Sequence, residues 1–386
     1  MVPLSSLPRS ESSAFFLPSG VAFPFLVATE PNFWHVTHDS YQKREGVLLL
    51  ISDLQFDYPE HLVATRPQRP SRVLWVENRN PVEISLQDLL WKIPAGDLLV
   101  VNNTKVLKRR VFAGDLEILF LGRISGPGEQ WEVLFPSKKF KLGDEIELPL
   151  GKKMRLEQKG RPQVVSVTEP LSESYFEQVA ELPLPPYIQK ARGERHTVDA
   201  DETWYQTHWA KEPGSFAAPT ASLHFSSEDF LVLKNRGVQI LELTLHVGLG
   251  TFLPVTTENL DDHPMHAEWA EVPRETWSAI QQAQREGRKI WSLGTTTTRA
   301  LESAGAGLLK SGEKGLQGLT DILIQPGYQW KVVDCLLTNF HQPESTLLAL
   351  VAGFSDLNTV KSAYQYAISR DFRLFSYGDL SVWLRP

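Results

Sequence analysis

From Asp201 to the C-terminus, apolar runs of strand length alternate with segments of helical period. Ser226-Ser227-Glu228-Asp229 opens a helix with capping residues, and Gly237 closes it. Residues 238–245 follow as a strand. Pro273 starts a helix of roughly four turns that Gly287 ends. Residues 289–293 read as a strand, 296–304 as a helix, 321–324 as a strand, and 345–353 and 359–369 as helices. Such alternation predicts a largely parallel sheet covered by helices, so the fold class is α/β. Chemistry in such sheets sits where strands end and helices begin.

The middle of the chain obeys another rule. Between Val111 and Val167, short alternating segments (116–121, 131–135, 145–148) are divided by Gly and Pro. That pattern predicts a small antiparallel barrel or sandwich. Leu182-Pro183-Leu184-Pro185-Pro186-Tyr187 reads as a stiff extended connector closing this module. Upstream, Leu98-Leu99-Val100-Val101 reads as a buried strand that runs into Asn102-Asn103-Thr104-Lys105. Residues 1–47, rich in Pro, Ser and Phe, read as an irregular extension.

At 386 residues the chain can bury a sizeable core without disulfides. Its single cysteine, Cys335, lies in an apolar stretch and reads as a buried structural residue in a reducing compartment. No apolar run reaches the ~20 residues that span a bilayer, and Pro18 and Pro24 interrupt the N-terminal ones. A cytoplasmic protein with no membrane partner is expected. The net charge of −7 does not suggest a nucleic-acid partner. However, residues 102–195 hold 16 Lys+Arg against 13 Asp+Glu, so a locally basic surface belongs there if anywhere.

Polar clusters follow the strands. Ala217-Ala218-Pro219-Thr220-Ala221-Ser222-Leu223-His224 joins small residues, which let a ligand approach the backbone, to an imidazole that exchanges protons near neutrality. His246-Val247-Gly248-Leu249-Gly250-Thr251 offers backbone N–H groups to an anion, without the glycine spacing of a dinucleotide fold. His263-Pro264-Met265-His266-Ala267-Glu268 superficially suggests a metal, but Pro264 breaks the ligand spacing. A polar substrate site or a loop network is the better reading. Gly294-Thr295-Thr296-Thr297-Thr298-Arg299 puts hydroxyls, free N–H groups and a guanidinium at a helix N-terminus, where a carboxylate or phosphate binds. Thr338-Asn339-Phe340-His341 and Phe375-Ser376-Tyr377-Gly378-Asp379 complete the set. Each cluster has an ordinary structural explanation as a cap, turn or solvated loop. Together they favour one large active site for a polar, nucleotide-like or anionic ligand.

These segments, in this order, resemble the S-adenosylmethionine:tRNA ribosyltransferase-isomerase family. Phe56-Asp57-Tyr58, Ser71-Arg72, Leu184-Pro185-Pro186-Tyr187, Tyr205-Gln206-Thr207, Pro326-Gly327-Tyr328, Asp334 and Ser345-Thr346-Leu347 extend the match beyond the clusters above. The resemblance implies an α/β core, 48–108 and 198–386, with an inserted small antiparallel β-barrel domain, 109–197. It also implies a reaction. The ribosyl part of S-adenosylmethionine moves to 7-aminomethyl-7-deazaguanine at the tRNA wobble position, giving epoxyqueuosine-tRNA, adenine and methionine. The partners are then tRNA and S-adenosylmethionine, a consumed substrate. No metal and no separate cofactor are implied, and a monomer is expected.

Such chemistry needs a base for the acidic 5′ carbon beside the sulfonium, an acid for adenine, and a water-poor pocket. Candidates are His224, His246, His266, His341 and Asp379. Asn102, Asn103, Thr104, Pro219, Thr220, Gly248, Gly250, Thr251, Glu268, Gly294, Thr295, Thr296, Arg299, Asn339 and Tyr377 are expected to bind substrate. Arg299, with Thr295 and Thr296, would hold the methionine carboxylate. Arg72, Lys105 and Arg110 are expected at tRNA phosphates. The chain departs from the family at Ser222 (usually Gly), Leu253 (usually Arg), Glu344 (usually Lys), Ala349 (usually Met) and Leu107-Lys108-Arg109. The losses of charge at 253 and 344 keep two rivals open: a diverged paralogue acting on another RNA, and a non-catalytic tRNA-binding protein.

Overall fold

Leu98, Leu99, Val100 and Val101 are buried on both faces of a strand in the middle of the large sheet, as their unbroken apolar run predicts. The computed structural model describes residues 49–124, 128–248, 250 and 255–385. The extension expected over 1–47, together with Thr251 and Leu253, lies outside the described residues.

In chain order the first elements are β1 (Arg72–Glu77), β2 (Asn80–Ser85), α1 (Leu86–Lys92), β3 (Leu98–Asn102) and β4 (Thr104–Val106). Next come β5 (Arg110–Ala113), β6 (Leu116–Ile124), β7 (Gln130–Leu134), β8 (Glu145–Glu147), β9 (Lys153–Gln158), β10 (Gln163–Val167), α2 (Glu173–Val179) and β11 (Ala180–Glu181). The chain continues through α3 (Pro186–Arg192), α4 (Asp201–Trp204), β12 (Glu212–Ser215), α5 (Ser227–Asn235), β13 (Gln239–Leu245), β14 (Glu268–Pro273), α6 (Arg274–Arg285) and β15 (Ile290–Leu293). It ends with α7 (Thr295–Gly305), β16 (Lys310–Ser311), β17 (Gly315–Thr320), β18 (Cys335–Asn339), α8 (Thr346–Phe354), α9 (Leu357–Ser369) and β19 (Leu380–Leu384). Local chemistry sets several boundaries. Ser226 Oγ accepts the Asp229 N–H and the Asp229 carboxylate answers the Ser226 N–H, a capping box that starts α5.

Among the described residues, ten strands form one sheet, ordered β16-β17-β14-β13-β3-β15-β18-β19-β1-β2. β13, β3, β15 and β18 run parallel, and so do β19 and β1; the other neighbours are antiparallel. The sheet is therefore mixed rather than largely parallel. Two features cause this. β14 and β17 flank β13 as antiparallel arms, and the C-terminal β19 inserts between β18 and β1. Side chains alternate across the sheet. Leu98, Val100 and Leu336 pack with residues of α6 to α9; Leu99, Val101, Leu293 and Leu337 pack with α1 and α5. Cys335 lies in this second layer, and burial pushes its thiol up to about 12, so it is a packing residue.

Two local expectations need correction. Residues 321–324 are not a strand; the strand is β17, just upstream. Its glycines hide it from a propensity reading, yet Gly315 is required there. A Cβ at 315 would fall 2.2 Å from the Val272 carbonyl oxygen on β14. Ile322 and Ile324 alternate because they are buried against the core, and the Ile322 carbonyl faces Arg299 Nε at 3.4 Å. The proline-rich connector is extended only to Pro185. Pro186 is the first residue of α3, a position where its missing N–H costs nothing.

The Gly- and Pro-divided segment forms a second, antiparallel sheet, ordered β11-β5-β6-β7-β10-β9-β8. It curls over its own core of Phe120, Trp131 and Phe176, whose rings meet edge to face. β8 and β11 are its edges among the described residues. β12 and β4 make a small parallel pair. No described helix is long and apolar enough to cross a membrane.

Candidate active site

The parallel strands β13, β3, β15 and β18 all end at one edge, and the polar clusters gather there. Asn102, the last residue of β3, brackets this edge. Its Oδ1 accepts the N–H groups of Thr104 and Leu245, both at 3.1 Å. Its Nδ2 donates to the Leu245 carbonyl at 2.9 Å and to Thr296 Oγ1 at 3.3 Å. One amide thus ties the ends of β3 and β13 to the start of α7. Gly294, at φ +98°, makes the turn from β15 into that helix, and a Cβ there would meet Ala221 at 3.7 Å.

Directly after β13, His246 turns back over the edge. Its Nδ1 lies 2.7 Å from Thr104 Oγ1, and its ring lies flat against Gly214. A Cβ at 214 would stand 2.8 Å from each of three ring atoms. Burial lowers the imidazole to about 4, so the ring is neutral at physiological pH. Among the described residues its Nε2 has no hydrogen-bond partner. Two residues on, the Gly248 N–H donates to Glu268 Oε1 at 3.0 Å, and Glu268 Oε2 takes a short bond from Arg299 Nη1 of α7. Both members of that ion pair are buried, and among the described residues Arg299 Nη2 is buried without a hydrogen-bond partner.

His224 ends the short turn Thr220–His224, which Arg69 pins by donating to the Leu223 carbonyl at 2.6 Å. Both of its ring nitrogens are engaged. Asn339 Nδ2 also donates to the carbonyls of Phe375 and Ser376, at 3.1 and 3.3 Å, which orients the amide. Nδ2 therefore donates to His224 Nε2 at 3.0 Å, and the ring proton sits on Nδ1, facing Ser71 Oγ at 2.6 Å. Ser71 Oγ passes its own proton toward the Gln68 carbonyl at 3.3 Å. Asn339 Oδ1 accepts from Thr220 Oγ1 at 2.9 Å. Burial, with Arg373 and Arg69 nearby, lowers His224 to about 3. His341 is lowered to about 3 by burial alone and meets Thr338 Oγ1 through Nε2 at 2.8 Å.

A protein-family model described as "Queuosine biosynthesis protein" matches residues 51–382. The chain belongs to the queuosine biosynthesis protein family. A relative named S-adenosylmethionine:tRNA ribosyltransferase-isomerase, from Polynucleobacter necessarius, is 41% identical over 347 residues, 85% of this chain and 96% of that protein. A relative of the same name from Natranaerobius thermophilus is 39% identical, over 85% of this chain and 98% of its own length. A crystal structure of S-adenosylmethionine tRNA ribosyltransferase from Thermotoga maritima is 27% identical, covering 86% of this chain and 99% of its own, with a TM-score of 0.48.

Within this queuosine-family chain, Asn102, Thr104, His246, Gly248, Glu268, Gly294, Thr296 and Arg299 are joined by contacts at the strand edge, and Thr220, His224 and Asn339 form a second cluster beside them. Pro219 is buried at the start of the His224 turn, and Thr295 is the first residue of α7. Asn103 turns away, with Oδ1 accepting from Thr244 and Nδ2 donating to Glu242. His266 is exposed and rests on Gly250.

Other expected site residues are committed elsewhere. Asp379 accepts the backbone N–H groups of Arg72 and Arg373 and the Arg373 guanidinium, and bonds to no histidine among the described residues. These bonds hold the turn that leads into β19 beside the start of β1. Tyr377 donates to Asp201, which also holds Arg192 through two bonds. Arg72 forks onto Glu83 and caps the carbonyls of Arg370 and Asp371. Arg110 is buried and bonded to Glu181, so its charge does not face solvent. Lys105 alone of the three expected phosphate contacts is exposed. Three residues escaped the sequence reading as site formers: Gly214, Arg69 and Ser71. Only Ser71 carried a signal, through the ordered match. Among the described residues no group of His, Cys, Asp and Glu is arranged to hold a metal.

Proposed function

We infer that this chain catalyses the S-adenosylmethionine:tRNA ribosyltransferase-isomerase reaction on 7-aminomethyl-7-deazaguanine in tRNA, releasing adenine and methionine. The observation that carries this reading is 41% identity over 85% of the chain and 96% of a relative bearing that activity in its name. The other relatives compared carry the same name, which favours it over a diverged paralogue or a non-catalytic binder.

Of the candidate bases, His246 is the best supplied by its surroundings. It is neutral, half-buried and oriented by Thr104, with Nε2 unengaged among the described residues. His224 has both nitrogens occupied, which suits a positioning group. In our reading His246 takes the proton from the 5′ carbon next to the sulfonium, which begins adenine loss. The substrate amine then attacks, and a ring hydroxyl closes the epoxide as methionine leaves. Arg299 Nη2 and the N-terminus of α7 receive the methionine carboxylate. Asn102, Thr296 and Glu268 belong to the same cluster of contacts, and in our reading no metal or separate cofactor takes part.

We also read the antiparallel sheet as a barrel-like domain, 109–197, inserted between core segments 48–108 and 198–386 of a cytoplasmic monomer. The test is direct. Purified protein is mixed with S-adenosylmethionine and tRNA carrying the deazaguanine precursor, and adenine and the epoxide nucleoside are measured. The expected result is both products in equal amounts. Tight tRNA binding without adenine would overturn the enzymatic reading.

A further inference from the structure

The seven-stranded antiparallel sheet carries a basic end that none of the strand-edge chemistry uses. The loop from β7 to β8 holds Lys138, Lys139 and Lys141, and the β9–β10 turn holds Lys159 and Arg161. All five are exposed, and none has an ion-pair partner among the described residues. Three of the nearby carboxylates have partners of their own. Asp144 accepts the Lys141 backbone N–H at 2.7 Å, Glu145 pairs with Lys153 at 3.6 Å, and Glu157 with Arg155 at 3.0 Å.

The fold places these two loops together. Strand order puts β10 and β9 between β7 and β8, so the β7–β8 loop must cross the end where the β9–β10 turn lies. Buried Gln163, the first residue of β10, fastens it there. Its Oε1 accepts the Phe135 N–H at 3.2 Å, and its Nε2 reaches the Phe135 carbonyl at 3.3 Å and Ser137 Oγ at 3.0 Å. Phe140 packs edge to face on Phe135, with centroids 5.6 Å apart. The lysines therefore ride on an anchored loop. β5 and β7 run the same way, since β6 is antiparallel to both. The basic end is thus opposite the end where the chain enters at Arg110 and leaves at Glu181.

We propose that this end of the sheet is a docking surface for the sugar–phosphate backbone of tRNA, separate from the strand-edge site. The proposal rests on the functional reading above. In a chain of net charge −7, five cations with no ion-pair partner among the described residues, concentrated on two tethered loops, form a local positive field that fits a polyanion. Neutralising phosphates releases counterions, so such a surface must show itself in the salt dependence of binding.

The test compares wild type with K138A/K139A/K141A and with K234A/R285A/K310A, which removes the same charge from exposed positions elsewhere. Binding of unmodified tRNA is measured from low to physiological salt, with thermal melting as a check on folding. The loop variant should bind about tenfold or more weakly, with a log–log salt slope smaller by up to about three. The control variant should bind as wild type does. Equal affinities and slopes for the loop variant and wild type overturn this proposal alone. So does equal weakening by the control. Wild-type protein that does not bind tRNA overturns the functional reading together with it. Binding by the loops to vesicles of anionic phospholipid and not to tRNA would assign the surface to a membrane and overturn the proposal as well.

Discussion

His224 and Asn339 meet through Nε2 and Nδ2 at 3.0 Å, so a side-chain amide fixes the tautomer of a fully buried imidazole. Asn339→Asp tests this arrangement. The change replaces a donor by an acceptor that faces His224 Nε2 and two backbone carbonyls. Leaving these groups unpaired costs about 1–3 kcal/mol. Urea unfolding at pH 7 should show a loss in that range. A variant within ~0.5 kcal/mol of wild type would show that the bond does not hold the turn in place.

Burial lowers both His224 and His341 to about 3. In the unfolded chain each titrates near the ordinary 6.5. Between these values the unfolded state binds protons that the native state refuses, so stability falls as pH falls below about 6.5. By pH 5 each histidine should cost about 2 kcal/mol relative to pH 8. Carboxylates contribute little in that window, because they titrate lower. Equilibrium unfolding at pH 8, 6 and 5 measures the slope, and His341→Gln should flatten it. A stability unchanged from pH 8 to 5 would mean the rings open to water.

Much of the molecule was legible before any coordinates. The unbroken apolar run Leu98–Val101 announced a doubly buried strand, and the Ser226 capping box and Gly237 bounded α5. Strand-end logic also gathered Asn102, His246, Gly294 and Asn339 to one edge, because parallel strands in register must end together. What stayed hidden depends on partners far along the chain. Nothing local to Asp379 reveals that Arg72 and Arg373 consume its oxygens. Arg110 looks like a free cation until β5 and β11 close over it. Gly214 carries no signal in its own neighbourhood of the sequence, yet it is the floor under an imidazole.

The Arg299–Glu268 pair is buried on both sides, and the carboxylate also holds the Gly248 N–H. Removing one partner strands a buried charge, which costs about 3–5 kcal/mol. Arg299→Leu and Glu268→Leu should each be severe, and the double variant should cost clearly less than their sum. A double-mutant cycle by chemical unfolding reads the coupling. Additive losses would show that the two side chains are solvated separately. Arg299→Lys should keep much of the stability but weaken S-adenosylmethionine affinity, since one ammonium cannot serve Glu268 and a ligand carboxylate in the guanidinium's geometry.

Gly214 and His246 allow the proposed chemistry to be separated from the fold. The ring sits where a Cβ at 214 would be, 2.8 Å from three of its atoms. Gly214→Ala must therefore push the imidazole off Thr104 or move β12. A side-chain ring swings more easily than a paired strand, but Gly214 also sits at φ +155°, where an alanine is strained, so the stability loss should be about 1–3 kcal/mol. Displacing a reacting group by an ångström can cost about 100-fold in rate. Turnover should accordingly fall by about that factor, while tRNA affinity stays near wild type. The pH profile of the wild-type protein adds an independent reading. His246 accepts a proton only when neutral, so kcat/KM should hold steady from pH 8 down to about 5 and fall toward about 4. Normal turnover by Gly214→Ala, or an acid limb near 6.5, would remove His246 from the role of base and return the question to His266, the exposed ring resting on Gly250.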